Sequence, residues 1–302
     1  MDWLPLHGQM KRIRFIINPR SGVFPKEGVR DIIESELSVS EYSINVVFTQ
    51  YAGHATLLAK EAVSEGYDIV VAVGGDGTVN EVARGVVGTG VVLAILPAGS
   101  GNGLAHHLKI PLARRKAIRT IAAGRVQAID TGMMNGRLFV SIAGIGFDGL
   151  VARKFEKSRL RGFMSYLQVV TQYYPGYRPK KYRLIFPDRT IETRALFIVF
   201  ANSDQFGFQT SIAPGARVDD GLLDVIIMEK PPLIELPYLA GLLYWRKIDR
   251  SKYCRVFKTS EVTVKTGRNR WANIDGEAWK PGKKISVTVQ PASLKILLPE
   301  RK

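Results

Sequence analysis

Apolar residues in the first hundred positions gather in short runs within the strand-like segments 14–18, 43–49, 68–73 and 91–96. Between them, at 26–37, 55–65 and 79–87, they recur every three or four residues. Short unbroken runs suit strands, and the wider spacing suits helices with one buried stripe. Strands alternating with helices in this way build a parallel sheet through βαβ crossovers. Strands without polar alternation suit a sheet covered on both faces.

The rhythm changes after about residue 130. Strand-like segments at 138–143, 182–186, 193–201, 222–228, 255–265 and 285–289 are separated by turns rich in Gly, Pro and Asp. Two helical segments interrupt them. One, at 162–174, carries Phe163, Tyr166, Leu167 and Val170 at helical spacing; the other spans 233–245. This half reads as an antiparallel β-sandwich. A chain of 302 residues exceeds what one core usually holds, so two domains are expected. The pattern places an α/β domain at 1–132 and a β domain at 133–290, with 291–302 packing back on the first.

One segment carries more than fold. Gly74, Gly75, Asp76, Gly77, Thr78, Val79 and Asn80 follow an apolar strand and lead into a helix. Glycines let a backbone approach a bound group closely, and a helix start offers free N–H donors with a positive dipole end. Thr78 and Glu81 have the Thr-x-x-Glu spacing of a capping box, which would set the helix start. A carboxylate at Asp76 beside phosphates makes sense with a cation such as Mg2+ nearby. The turn is neither a Walker loop nor a Gly-x-Gly-x-x-Gly fingerprint, so pattern alone supports a phosphate site or a purely structural turn. A second loop, 96–103, also follows an apolar strand and precedes a helix at 104–108. Loops at successive strand ends of one parallel sheet face the same crevice.

These residues resemble the diacylglycerol kinase catalytic family, which includes sphingosine and ceramide kinases. The match runs in order through Asn18-Pro19-Arg20-Ser21-Gly22, Thr49 with Gly53-His54-Ala55, Gly74-Gly75-Asp76-Gly77-Thr78 and Pro97-Ala98-Gly99-Ser100-Gly101-Asn102. It continues with Asp130-Thr131-Gly132, Gly144-Ile145-Gly146-Phe147-Asp148, the stretch Ala216 to Asp224, and Asp275-Gly276-Glu277.

The resemblance implies a Rossmann-like nucleotide domain of the NAD kinase and diacylglycerol kinase type, a C-terminal β-sandwich, and ATP in the cleft between them. It implies nucleotide contacts from Asn18, Thr49, the loop from Gly74 to Asn80, and Ser100. It makes Glu277 the general base on a lipid hydroxyl, with Asp76 and Asp130 orienting an active-site Mg2+. Asp220 and the main-chain carbonyls of Arg217 and Leu222 would form a structural Mg2+ site. Gly103 stands where many bacterial diacylglycerol kinases carry Asp, while sphingosine kinases tend to have a small residue there; this tilts the expected acceptor toward long-chain bases. An NAD kinase-type enzyme shares Gly-Gly-Asp-Gly-Thr, and a non-catalytic nucleotide- or lipid-binding module would keep the fold. Both are rival readings.

Charge and composition narrow the partners. Forty-three Lys and Arg against 27 Asp and Glu leave a net charge of +16, which favours an anionic partner. Basic clusters lie at Arg153, Lys154, Lys157, Arg159 and Arg161; at Lys180, Lys181 and Arg183; and at Arg246, Lys247, Arg250, Lys252 and Arg255 after Trp245. Their apolar and aromatic neighbours suit peripheral contact with an anionic membrane. No nucleic-acid reader motif is present, so no specific nucleic acid is expected. A homodimer is compatible with the sequence. His106 and His107 lack metal-ligand spacing and read as structural. Cys254, the only cysteine, excludes an intrachain disulfide and a Cys-based metal site. Residues 1–9 do not read as a signal peptide, and the apolar run at 233–245 is shorter than the roughly 20 residues of a spanning helix. A cytoplasmic, peripherally membrane-associated protein is therefore expected.

Overall fold

The computed structural model describes residues 10–21, 29–38, 40–156, 162–207, 210–267 and 271–300. Gly22, the start of the helix expected at 26–37, and Lys157, Arg159 and Arg161 lie outside the described residues. The chain divides into two compact units, Met1–Ile129 with Ala292–Lys302, and Asp130–Pro291.

In the first unit strands and helices alternate: β1 (Lys11–Ile17), α1 (Val29–Glu36), β2 (Tyr42–Phe48), α2 (His54–Ser64), β3 (Ile69–Gly74), α3 (Asp76–Val86), β4 (Val92–Pro97), α4 (Gly103–His107) and α5 (Arg114–Ala123). The strands lie in the order β2-β1-β3-β4, all parallel. Every residue of β3 and β4 is buried, so both sheet faces are covered. Phe15, Val71, Val73 and Leu96 share one core with Ile118 and Ile121 of α5 and with Leu297 from the far end of the chain. The short helix at Arg114–Ala123 escapes the sequence pattern because four of its first six residues are cationic and only Ala117, Ile118 and Ile121 are buried.

Between the units runs β5 (Arg125–Met134). The second unit continues with β6 (Arg137–Phe139), β7 (Ile142–Gly146), α6 (Phe147–Glu156), α7 (Phe163–Tyr173), β8 (Lys180–Ile185), β9 (Thr190–Ala195), β10 (Phe197–Ala201), β11 (Gln205–Gly207), β12 (Thr210–Ser211) and β13 (Leu223–Met228). It ends with α8 (Leu236–Tyr244), β14 (Cys254–Thr259), β15 (Glu261–Thr266), β16 (Ala272–Ile274), β17 (Glu277–Trp279) and the first half of β18 (Lys284–Leu298). One antiparallel sheet has the order β14-β13-β10-β7-β16-β17. A second is built from β9, β8, β15 and β18. Phe139, Ile145, Tyr182, Leu184, Phe200, Val225, Val264 and Val287 fill the core from both sheets. This is the sandwich expected from short strand-like segments separated by turns.

Three expected strands are each two. Residues 138–143, 193–201 and 255–265 break between Phe139 and Ile142, at Leu196, and at Ser260. At each break the chain leaves one sheet and enters the other. Apolar residues continue through these corners because both sheets bury against the same core, so composition does not mark the bend.

Candidate functional site

In the first unit the two glycine loops meet. A Cβ placed on Gly99 would lie 2.5 Å from the Gly75 Cα, and one on Gly75 would lie 3.2 Å from the Gly99 Cα. No side chain fits between them. Asn102, at φ 48, clamps the second loop: its Oδ1 accepts the Gly99 N–H at 3.0 Å and its Nδ2 donates to the Gly99 carbonyl at 2.8 Å. Ser100 is exposed at the tip beside Gly99. The first loop is tied to β1, since the Asn18 N–H donates to the Val73 carbonyl and Asn18 Nδ2 donates to Thr78 Oγ1 at 3.1 Å. Thr49 follows β2, its N–H on the Ile17 carbonyl. These contacts bring Asn18, Gly74, Gly75, Thr78 and Gly99 into one neighbourhood.

The helix begins earlier than the sequence pattern suggests. Gly75 is the N-cap and Asp76 the first residue of α3, so Thr78 lies inside the first turn. Glu81 does not close a capping box. Its carboxylate instead accepts the N–H groups of Gly53 at 2.9 Å and Ala55 at 3.1 Å, capping the neighbouring α2. The reason is local: Gly75, with extended backbone, makes the turn on its own, and α2 begins after Gly53 without a side-chain cap of its own.

Asp76 faces the start of α4. Its Oδ1 accepts the Leu104 N–H at 3.3 Å, and the Gly103 N–H also holds the carboxylate. Burial raises its pKa above the usual carboxylate range; those N–H groups, its own N–H and nearby His106 only partly offset this. A carboxylate that the fold leaves short of positive charge suits a bound dication, which would return it to the ionised form.

In the second unit Asp275 and Gly276 form the two-residue turn between β16 and β17, both with positive φ (46 and 92). Such a turn matches the twist of its flanking strands. The Asp275 carboxylate is buried and accepts three backbone N–H groups, from Val140 at 2.7 Å, Ser141 at 3.0 Å and Ile142 at 2.9 Å. It thereby fixes one of the sheet-switching corners. Glu277 stands one residue past the turn, opposite Ile274, and is half-buried.

Two further residues belong to this turn. The Gly276 N–H donates to Asn273 Oδ1 at 2.8 Å, and Asn273 Nδ2 donates to Asp148 Oδ1 at 3.3 Å. Asp148 is buried in the first turn of α6, which pushes its carboxyl up to about 6. In the sequence Asp148 stands within a motif that assigns it no role, and Asn273 lies outside every motif. The signal available was the Gly144-x-Gly146-x-Asp148 spacing: Gly144 leaves the room that the Asp148 carboxylate fills, since a Cβ there would lie 1.9 Å from its Oδ2.

The residues expected to hold structural magnesium lie in the same unit. Asp220 Oδ1 accepts the Leu222 N–H at 3.2 Å, and the Arg217 side chain pairs with Asp219 at 3.2 Å. Lys258 Nζ sits 2.9 Å from Asp220 and 3.2 Å from Asp224. An ammonium is thus the cation of this cluster, and a metal there would compete with it. Asp130 accepts the Gly221 N–H at 2.7 Å, binding the same turn. Among the described residues no group of three or more His, Cys, Asp or Glu side chains could hold a metal ion. Cys254 is buried, and its thiol is pushed up to about 12. No helix among the described residues is long and apolar enough to cross a membrane.

The chain thus combines a parallel α/β unit, carrying two touching glycine loops, with an antiparallel sandwich unit. Residues 12–134 match the diacylglycerol kinase catalytic domain, and residues 141–298 match the YegS C-terminal NAD kinase beta sandwich-like domain. The chain is 31% identical over 278 residues to a diacylglycerol kinase of Bacillus subtilis strain 168, covering 89% of this chain and 90% of that one. It is 30% identical to the Staphylococcus saprophyticus diacylglycerol kinase over 88% of this chain and 89% of the other. A crystal structure of a diacylglycerol kinase from Bacillus anthracis str. Sterne superposes with a TM-score of 0.74 at 18% identity, covering 96% of this chain and 98% of that one; likeness at that identity speaks for the fold alone. The chain belongs to the diacylglycerol kinase catalytic family and is a lipid kinase.

Proposed function

We propose that the chain transfers the γ-phosphoryl group of ATP to the free hydroxyl of a diacylglycerol, with Glu277 as general base. The observation that carries this reading is Asp76, a carboxylate left short of positive charge where two glycine loops touch at a helix start. Backbone N–H groups of that turn, with Asn18, Thr49 and Ser100 at its margin, would bind the triphosphate. Magnesium bound beside Asp76 would neutralise charge on the phosphates. A new bond forms between the acceptor oxygen and the γ-phosphorus, the bond to the β–γ bridging oxygen breaks, and the hydroxyl proton passes to Glu277. The alcohol is a weak acid, so the proton leaves late and an ordinary carboxylate serves as its acceptor. The named relatives, both diacylglycerol kinases, support diacylglycerol over the sphingoid base toward which Gly103 tilts. At Asp220, Lys258 already supplies positive charge, so no step is assigned to a second magnesium there.

The lipid acceptor lies in a membrane, and the second unit offers a surface suited to one. Ile234 and Trp245 are 89% and 70% exposed, Leu233, Tyr238 and Tyr244 are exposed with them, and Arg246, Lys247, Arg250 and Lys252 follow. Apolar and aromatic side chains edged by cations suit the interface of an anionic bilayer.

The test is to incubate purified protein with labelled ATP, Mg2+ and a panel of diacylglycerol, sphingoid base, ceramide and NAD. Labelled product from diacylglycerol is expected. Label in NAD alone would overturn the reading in favour of a soluble-substrate kinase.

A further inference from the structure

Asp148 is expensive and idle in the reaction just described. It is buried, its Oδ2 has no hydrogen-bond partner among the described residues, and Asn273 donates to its Oδ1 at 3.3 Å. Burial of an ionisable group with one oxygen unsatisfied costs stability. Burial holds the Tyr166 hydroxyl, on α7, away from ionisation, and the nearby Asp148 carboxylate adds to the effect. A Leu or Met at 148 would pack among Phe147, Val151 and the core beneath without such a cost. The surroundings are nonetheless shaped for the carboxylate: Gly144 vacates its volume, and Asn273, directly across the ladder from Gly144, reaches it.

We propose that Asp148 is a positioning residue: it orients the Asn273 amide so that Asn273 holds the Gly276 N–H, which fixes the turn that presents Glu277. An asparagine side chain can rotate its amide end for end. A carboxylate accepts only, so Asp148 forces the Asn273 NH2 toward itself and leaves the Oδ1 facing Gly276. With no acceptor at 148 the amide loses this constraint, and the Gly276 N–H loses its assured partner. The turn has a second anchor in Asp275, which bonds the corner at Val140 to Ile142. The two anchors act on different parts: Asp275 on the attachment of the hairpin to the sheet, and Asn273 on the peptide immediately before Glu277.

This inference rests on Glu277 acting as the base, so the test separates the two. Asp148→Ala, Asp148→Asn, Asn273→Ala and Glu277→Gln are compared with wild type using ATP, Mg2+ and a short-chain diacylglycerol in mixed micelles. Small displacements of a reacting group cost up to about 100-fold in rate. Asp148→Ala and Asn273→Ala are therefore each expected to lower kcat by roughly 30-fold, with KM for ATP little changed. Asp148→Asn keeps an acceptor oxygen but can also turn a donor toward Asn273, so it is expected to recover part of the loss. The double alanine variant should be no worse than either single one, as for two links of one chain. Amide hydrogen exchange in the nucleotide-free protein supplies a readout independent of catalysis: the Gly276 N–H should exchange faster in both alanine variants while the melting temperature holds. Should Asp148→Ala fail to fold, Asn273→Ala carries the same test. Full kcat with unchanged Gly276 exchange in either alanine variant overturns the positioning role, as does an Asp148→Asn no better than Asp148→Ala. Full turnover by Glu277→Gln would instead remove the base assignment, leaving the exchange result to judge the relay.

Discussion

The two turns that carry acidic residues solve opposite problems. At Gly75-Asp76 the carboxylate stands at the junction of strand and helix, with burial working against its ionised form. At Asp275-Gly276-Glu277 the turn carboxylate is held by three backbone N–H groups, and the acid assigned to chemistry lies two residues further on. The first turn leaves its carboxylate with burial outweighing the N–H groups it holds; the second spends one acid on structure so that another can be placed. Position in a turn therefore does not identify the reactive group.

The contrast predicts different failures for neighbouring acids. Glu277→Gln should fold normally and lose turnover by about 10²- to 10⁴-fold, the usual contribution of a general base; a kinase assay beside a melting curve checks both halves. Asp275→Ala should do the reverse first. It strands three buried donors, so a loss on the order of 4 kcal/mol is expected in denaturant unfolding. If Asp275→Ala were stable and merely inactive, the division of labour between the two acids would be wrong.

Asp148 sharpens the comparison through pH. Its folded pKa of about 6 lies above the ordinary 3.8, so the folded state holds the proton more tightly than the unfolded chain. The stability this contributes is complete below about 3.8 and is lost as pH rises through about 6, on the order of 3 kcal/mol in all. Asp148→Asn should flatten that slope and melt higher than wild type at neutral pH. Asp76 is raised in the same direction, so Asp76→Asn should stabilise the metal-free protein by about 1 kcal/mol while turnover falls, a trade common at functional sites. The smallest effect on folding belongs to Ile234→Ser and Trp245→Ala, within about 0.5 kcal/mol as surface changes. Their co-sedimentation with vesicles containing anionic lipid should drop by roughly tenfold.

The inner strands β3 and β4 of the first unit were legible because they are apolar throughout, and the sandwich strands because of their turns and spacing. Corners were not. Leu196 and Ser260 sit inside continuous strand-like stretches, and what bends the chain there is pairing with distant partners such as Met228 and Val289. The glycine loops could be read as a strand-to-helix turn, but their mutual contact through Gly75 and Gly99 is tertiary. Thr78 and Glu81 misled because a capping-box spacing does not say which helix the acid will cap. Asn273 gave no sequence signal: its value lies in facing Gly144 across a ladder, where a vacant Cβ admits the Asp148 carboxylate.

The last strand carries a consequence for how the molecule is made. Its final residues belong to the first unit, where Leu294, Ile296 and Leu297 are buried and Ile296 pairs beside Leu93 on β4. A ribosome therefore releases the nucleotide-type unit's closing piece only after the whole sandwich has been synthesised. Until then the edge of β4 waits without that partner, and a fragment ending near residue 129 would carry the same bare edge permanently.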